Sequence, residues 1–116
     1  MAITGTFSDR SVGFSGLTVS RAGLGTMTWG RDTRFDDARS CVRRFVDAAG
    51  SLIDTAPAYG RGEAERMLGR MLRTDVRRED LVIATKAGFV FREGARGVDT
   101  SRAALLDDLR GSLDRL

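Results

Sequence analysis

Histidine is absent from this chain of 116 residues, and lysine, proline, cysteine, tryptophan and tyrosine occur once each. The single proline and an apolar fraction of 41% indicate a packed globular chain rather than a disordered one. No apolar run approaches the roughly 20 residues that span a bilayer, so we expect no membrane partner. The sequence therefore predicts a soluble protein.

The lone cysteine, Cys41, has no second cysteine with which to form an internal disulfide. Residues 1 to 22 also lack the apolar core of a signal peptide, so a reducing cytoplasm is the expected location. We expect a structural role for Cys41, because it lies on the apolar face of a predicted helix. We assign no metal ligands to the chain.

A basic balance, with a pI near 10, raises the question of nucleic-acid binding. The net charge is only +3, however, and the arginines are interleaved with acids, as in "RDTRFDDARS". Without a basic stripe or an aromatic platform, we expect no nucleic-acid partner.

The order of apolar segments predicts an α/β protein. A small hairpin is expected over about 10–20, and three strand–helix units follow at about 21–49, 50–73 and 80–116. Such an order is typical of a parallel sheet. Three parallel strands would leave both sheet edges open, whereas a closed (β/α)8 barrel takes about 250 residues. We therefore expect residues 1–116 to be a piece of a larger fold.

Apolar residues at helical spacing mark the helices, and a continuous apolar run marks the clearest strand. The run Leu81–Ala84 predicts a strand that is covered on both faces. The glycine-rich residues 88–100 are expected to form a loop. The predicted buried faces are Ala38, Cys41, Val42, Phe45 and Ala49 in the first helix, Ala64, Met67, Leu68, Met71 and Leu72 in the second, and Leu106, Leu109, Leu113 and Leu116 in the third, which Thr100 or Ser101 would cap.

An acid, a phenol and an amine follow the predicted strands at their carboxyl ends, where parallel α/β folds collect functional residues. They are Asp54, Tyr59 and Lys86, the last being the only lysine among 19 basic residues. A phenol of pKa about 10 is a weak proton donor at neutral pH unless a nearby charge stabilises its anion. Lys86 offers such a compact charge, and Asp54 would keep it ionised and oriented. The trio predicts an acid–base site.

Each of these residues also has a structural interpretation, which the sequence leaves open. Asp54 could cap the turn that follows it, Tyr59 could pack with its hydroxyl at the surface, and Lys86 could be an exposed charge at a strand tip. Trp29 could form a pocket wall or a cover over the end of a barrel. The "GLG" at 23–25 is a weak phosphate signal, because it does not open a helix.

Three segments resemble the first strand-end motifs of the aldo-keto reductase family, in the same order and at similar spacing: "GLGTMTWG", "DTAPAYGRGEAERMLG" and "EDLVIATKAG". The resemblance covers about residues 12 to 116. It implies the N-terminal part of a (β/α)8 TIM barrel that binds NADPH, with NADH as the alternative. It also implies an oxidoreductase that transfers a hydride to a small-molecule carbonyl substrate.

The resemblance assigns a role to each residue of the predicted site. Tyr59 would be the proton donor, Lys86 would tune it, and Asp54 would pair with Lys86. Trp29 would form a wall of the substrate pocket. The nicotinamide end of the cofactor would be lined by Gly23, Leu24, Gly25, Thr26, Met27 and Asp54.

The chain departs from the family pattern in one respect. The fourth catalytic residue of the family is a histidine at the end of the fourth strand, and this chain contains no histidine. We therefore expect the 116 residues to be inactive by themselves. The remainder of the barrel, or another chain, would be needed for closure. The alternative is a non-catalytic remnant or a regulatory protein that needs a partner chain to complete its barrel. The potassium-channel beta subunits are a regulatory precedent in the family, although they retain a complete barrel and bind cofactor.

Overall fold

A computed structural model describes residues 7–116, and of Arg92 the backbone alone. Residues 1–6, which belong to the predicted unit 1–116 and to the segment without a signal-peptide core, lie outside the described residues. In chain order the elements are β1 (Asp9–Ser11), β2 (Thr18–Ser20), β3 (Gly23–Gly25), α1 (Phe35–Asp47), β4 (Leu52–Asp54), α2 (Glu63–Thr74), β5 (Val82–Ala84), β6 (Phe89–Arg92), β7 (Ala95–Val98) and α3 (Arg102–Arg115).

The central sheet consists of three parallel strands in the order β3, β4, β5. Ile53 in the middle strand lies opposite Leu24 on one side and Ile83 on the other. α1 connects β3 to β4 and α2 connects β4 to β5, because parallel neighbours need a crossover between them. The predicted α/β class with a parallel sheet is confirmed. Before this sheet in the chain, β1 and β2 form an antiparallel hairpin.

The hydrophobic core lies between β4 and the inner faces of α1 and α2. Val42, Ile53, Leu68 and Met71 are fully buried in it. Residues at helical spacing bring these side chains to one face of each helix, as the sequence predicts. Burial of apolar surface, at about 25 cal/mol per Å², therefore holds this part of the fold together.

The predicted buried face of α1 is only partly correct. Ala38, Val42 and Phe45 are buried, but Cys41 and Ala49 are exposed. Ala49 lies beyond the end of the helix and has a positive φ of 62°. Cys41 therefore lies at the margin of the packed face, and the expectation that it packs in the core is wrong.

Residues 88–100 form a hairpin rather than the expected loop. β6 and β7 pair antiparallel from Phe89 opposite Val98 to Arg92 opposite Ala95, which leaves two residues in the turn. Those residues, Glu93 and Gly94, both have positive φ, at 51° and 77°. Two-residue hairpins favour this backbone because its twist matches that of the strands.

The third helix is capped as predicted but packs differently. The Ser101 hydroxyl accepts a hydrogen bond from the backbone N–H of Ala104 at 3.3 Å. The expected leucine face is only partly correct, since Leu109 is 50% exposed and Leu113 67% exposed, whereas Leu106 and Leu116 are half-buried. α3 approaches α2 at its C-terminal end, where a side chain at Gly69 would collide with the backbone of Arg115.

The strand β5 is less buried than the sequence predicts. It was expected to be covered on both faces, but Val82 and Ile83 are half-buried and Ala84 is exposed.

Within the described part of the chain, no helix is both long enough and apolar enough to cross a membrane.

Candidate active site

The ends of the three parallel strands bring the predicted site residues to one edge of the sheet. Gly25, Asp54 and Ala84 are aligned across the sheet as the last residues of their strands. Lys86 follows two residues after β5, and Tyr59 follows β4 at the start of a short 3₁₀ turn. The carboxyl ends of parallel strands meet at one rim, so these side chains can converge.

Lys86 is the centre of the site. Its Nζ donates hydrogen bonds to Oδ2 of Asp54 at 2.8 Å, to the hydroxyl oxygen of Tyr59 at 3.1 Å and to the carbonyl oxygen of Thr55 at 3.0 Å. An ammonium has three N–H donors, so every one of them has a partner. The structure thus brings Asp54, Tyr59 and Lys86 together, as the chemistry of the trio requires.

The charge state of Lys86 follows from these contacts. Burial lowers the pKa of the Lys86 ammonium, but the hydrogen bonds to Asp54 and Tyr59 and the charge of the Asp54 carboxylate outweigh it. The pKa of Lys86 therefore lies above its ordinary 10.5. At neutral pH the phenol of Tyr59 therefore faces a positive charge. Nζ of Lys86 also lies 4.8 Å from the centroid of the Tyr59 ring.

The turn that carries Tyr59 requires glycine after it. Gly60 has a φ of 56°, and a Cβ there would approach the backbone oxygen of Trp29 to 2.8 Å. A side chain would also press on Glu63 at 3.2 Å. The Tyr-Gly pair therefore combines a left-handed backbone with close approach to the loop after β3.

The loop after β3 contributes less to the rim than the sequence suggests. Thr26 is buried and its hydroxyl donates to the backbone oxygen of Asp54 at 3.1 Å, so it fixes the end of β4. Met27 is 58% exposed and borders the cavity beside Tyr59. Trp29 is 3% exposed and belongs to the core, which differs from the predicted pocket wall. Its neighbours Gly30 and Arg31 border the cavity instead.

A cavity of about 720 Å³ opens beside the Tyr59 and Lys86 side chains. Its walls are apolar and cationic, and no carboxylate is among the described residues that line it. The lining residues are Met27, Gly30, Arg31, Ala56, Ala58, Tyr59, Gly60, Arg61, Lys86, Phe89, Phe91 and Arg96.

The remaining residues predicted for the cofactor end lie along β3. A Cβ at Gly25 would meet no atom within 4 Å, so a flat ring could approach the backbone there. Gly23 packs against Leu52, and Leu24 packs against the core, so neither offers a comparable surface. Of the residues predicted for the cofactor end, Gly25 has open space beside it, and Met27 and the side chain of Asp54 are 58% and 49% exposed. Across residues 7–116, no group of His, Cys, Asp or Glu side chains could hold a metal ion.

Two carboxylates close to the site were not predicted. Glu65 of α2 is fully buried and accepts a hydrogen bond from the Thr85 hydroxyl at 2.7 Å. Asp108 of α3 accepts one from the backbone N–H of Gly88 at 2.7 Å. Neither contact has a local sequence signal, since the partners lie 20 residues apart. The sequence gives one indication of such a contact, which is that Glu65 lies next to the apolar face of α2.

The described residues thus form an α/β unit in which the carboxyl-end rim of three parallel strands gathers an Asp, a Tyr and a Lys. The family model described as "Aldo/keto reductase family" matches residues 21–116. The chain belongs to this family. The comparisons confirm the predicted fold class, an α/β portion of a (β/α)8 barrel.

Known proteins similar to the chain share this assignment. Aldo-keto reductase YhdN of Bacillus subtilis is 32% identical over 91% of this chain and 33% of that protein. A probable voltage-gated potassium channel subunit beta of rice is 34% identical over 92% of this chain and 33% of that protein. A solved aldo-keto reductase structure from Pseudomonas aeruginosa is 41% identical, with a TM-score of 0.82, over 93% of this chain and 42% of that chain. The chain spans about a third of the length of the curated relatives it matches.

Proposed function

We propose that the protein is an oxidoreductase that reduces the carbonyl group of a small-molecule aldehyde or ketone. NADPH is the proposed cofactor, with NADH as the alternative. The observation that carries the proposal is the Lys86 ammonium, which is hydrogen-bonded to Asp54 and Tyr59 at the same time. Membership of the aldo/keto reductase family supports the reaction class.

Tyr59 is the proposed proton donor. When bound, the nicotinamide cofactor would supply the hydride for the carbonyl carbon, so that negative charge would develop on the carbonyl oxygen. The Tyr59 hydroxyl donates a hydrogen bond to that oxygen and passes its proton to it, so that the product is an alcohol. Lys86, 3.1 Å from the phenol oxygen, stabilises the phenolate that remains.

Asp54 acts through Lys86. Its Oδ2 lies 2.8 Å from Nζ and favours the charged form of the lysine. The Thr55 carbonyl oxygen fixes the third donor, so the remaining N–H points at Tyr59. The positive charge is thereby held beside the phenol before any substrate arrives, which is the condition for electrostatic stabilisation without reorganisation.

We further propose that residues 1–116 alone do not catalyse the reaction. The chain has no histidine for the fourth catalytic position of the family. In the described residues, β3 and β5 each have one neighbouring strand, so each has a free edge for another strand. The rest of a barrel, or another chain, would pair there. We also propose the cytoplasm as the location.

The test is substitution of Tyr59 by Phe in the full-length protein that contains this chain. We expect Tyr59→Phe to lower kcat for 4-nitrobenzaldehyde by about a hundredfold or more, since the hydroxyl acts in the transition state. The Kd for NADPH, measured by fluorescence, should stay within about twofold of the original because the ring is kept. Thr18→Val, on the distant hairpin, is the control.

The same assay separates a catalytic protein from a regulatory one. A wild-type protein that binds NADPH but does not oxidise it with any aldehyde would contradict the proposed activity. Equal kcat values for Tyr59→Phe and wild type would contradict the role of Tyr59. The regulatory alternative predicts the first of these results.

A further inference from the structure

The segment that carries Lys86 lies beyond the end of the sheet. The last hydrogen bond of the ladder runs from the N–H of Thr55 to the carbonyl oxygen of Ala84 at 2.8 Å. In the described chain, residues 85–87 make no backbone-to-backbone hydrogen bond. Their positions therefore depend on side chains from other elements.

The first anchor of this segment is Glu65. Its Oε1 accepts the hydrogen bond from the Thr85 hydroxyl at 2.7 Å, and its Oε2 accepts one from Nε of Arg115 at 2.5 Å. The Glu65 side chain is 0% exposed, and that of Arg115 is 22% exposed. A buried carboxylate is costly unless it is paired, so Arg115 makes the buried position of Glu65 tolerable.

The second anchor is Asp108. Its Oδ2 accepts the hydrogen bond from the N–H of Gly88 at 2.7 Å. Gly88 has a φ of 98°, and a Cβ there would press on Thr100 at 3.1 Å. The chain thus turns sharply after Lys86, and Asp108 holds that turn.

Both anchors depend on the same face of α3. Asp108 and Arg115 are seven residues apart, which is close to two helical turns, so their side chains point the same way. The Thr85 hydroxyl bonds to Glu65 of α2, whereas the Lys86 ammonium reaches Asp54 and Tyr59 at the rim. A bond to Thr85 therefore sets the orientation of Lys86 without touching its ammonium.

We propose that Glu65 and Asp108 are positioning residues that fix the Lys86 ammonium against Asp54 and Tyr59. The consequence for catalysis rests on the proposed function, but the placement of Lys86 does not. Without either anchor, the segment 85–88 gains freedom and the ammonium leaves its 2.8 Å contact with Asp54 for part of the time. A displacement of about 1 Å at an active site can cost a hundredfold in rate.

The first experiment compares Thr85→Val with Thr85→Ser in the full-length protein that contains this chain. Valine has the shape of threonine but no hydroxyl, whereas serine keeps the donor to Glu65. We expect Thr85→Val to lower kcat about tenfold with the KM for NADPH unchanged, and Thr85→Ser to keep kcat within about twofold. Thr18→Val, the same change on the hairpin, should leave kcat unchanged.

The second anchor has its own pair of variants. Asp108→Asn keeps an oxygen that can accept the bond from Gly88, and Asp108→Ala does not. We expect kcat to fall about tenfold in Asp108→Ala and to stay within about threefold in Asp108→Asn. Equal losses in both would show that the charge of Asp108, rather than its bond to Gly88, is what matters, and would overturn its positioning role.

A readout without catalysis decides the placement of Lys86. The amine resonance of Lys86 can be titrated by NMR and assigned by its absence from Lys86→Met. We expect the pKa of Lys86 to fall in Thr85→Val and Asp108→Ala, because the ammonium loses part of its contact with Asp54, and to be retained in Thr85→Ser. The same pKa in wild type, Thr85→Val and Asp108→Ala would overturn the proposal. A wild-type protein without reductase activity would instead contradict the proposed function and leave this titration to decide the positioning role.

Discussion

The helices α2 and α3 have similar lengths but are attached to the fold in different ways. α2 buries a continuous apolar face that includes Leu68 and Met71, whereas the one fully buried residue of α3 is Ser112. α3 is instead attached by polar contacts, the Glu65–Arg115 ion pair and the Asp108–Gly88 hydrogen bond. Apolar packing therefore builds the core, and directional polar bonds hold the segment that presents Lys86.

Shortening one leucine in each helix gives the strongest test of this difference between α2 and α3. Leu68 is 0% exposed and Leu113 is 67% exposed. Leu68→Ala should lower the free energy of unfolding by about 3 kcal/mol, because it leaves a cavity in the core. Leu113→Ala should change it by less than about 0.5 kcal/mol. Urea unfolding measures both, and similar losses would show that α3 is also attached by apolar packing.

The polar attachment of α3 can be tested with two ion pairs. Glu65→Ala leaves Arg115 without its partner in a partly buried site, and we expect a loss of about 2 kcal/mol in unfolding free energy. Asp107→Ala removes an exposed pair with Arg110, whose side chains are 75% and 72% exposed, and should cost about 0.3 kcal/mol. Thermal and urea unfolding give the comparison. Equal, small effects would mean that the Glu65 pair does not hold α3.

The cap of α3 should matter because so few of its side chains are buried. Ser101→Ala removes the acceptor for the N–H of Ala104 and should lower the unfolding free energy by about 1 kcal/mol. Ser40 lies on the exposed side of α1, so Ser40→Ala should stay within about 0.5 kcal/mol of wild type. A cap variant as stable as the Ser40 variant would contradict the account of α3.

An ion-pair cluster that should depend on pH connects α1 with the end of α2. Oδ1 of Asp75, after α2, accepts hydrogen bonds from Arg39 at 2.6 Å and Arg43 at 2.5 Å, both on α1. Burial raises the pKa of Asp75, but the hydrogen bonds from Arg39, Thr74 and Arg43 lower it more, so it lies below 3.8. A lowered folded-state pKa gives stability that is fully present above 3.8 and is lost as the pH falls through the folded-state value.

The variant Asp75→Asn tests that pH dependence. The difference in unfolding free energy between wild type and Asp75→Asn should be constant from pH 7 to about pH 5 and should shrink below about pH 4. Asp107→Asn, at an exposed position, is the matched control. A difference that does not depend on pH would mean that the two arginines do not act on the Asp75 charge.

The contact among Asp54, Tyr59 and Lys86 was predictable for a physical reason. Parallel strands end at one edge, so residues at or just after the ends of β4 and β5 lie close together, and an ammonium, a carboxylate and a phenol then have only a few favourable arrangements. The buried face of α2 was predictable from spacing alone, and that of α1 only in part, because Cys41 and Ala49 are exposed. Gly60, which follows Tyr59, has a φ of 56°, a conformation that glycine adopts readily.

The rest of the structure depends on contacts that have no local pattern. The bond from Arg115 to Glu65 joins residues 50 positions apart. The leucine spacing of α3 predicted a buried face, but Leu109 and Leu113 of that face are exposed. The hairpin over residues 89–98 was missed because its glycines resemble a loop, although "REGA" contains a two-residue turn. The family resemblance placed Trp29 in the wall of the substrate pocket, yet its side chain is buried in the core.

The central claim is that Asp54 and Tyr59 share the Lys86 ammonium, and titration of the Lys86 amine by NMR tests it most directly. We expect a pKa of Lys86 above 10.5 in the wild-type protein and a lower value in Asp54→Asn, because the neutral amide no longer favours the charged form. A wild-type pKa at or below 10.5 that does not change in Asp54→Asn would contradict it.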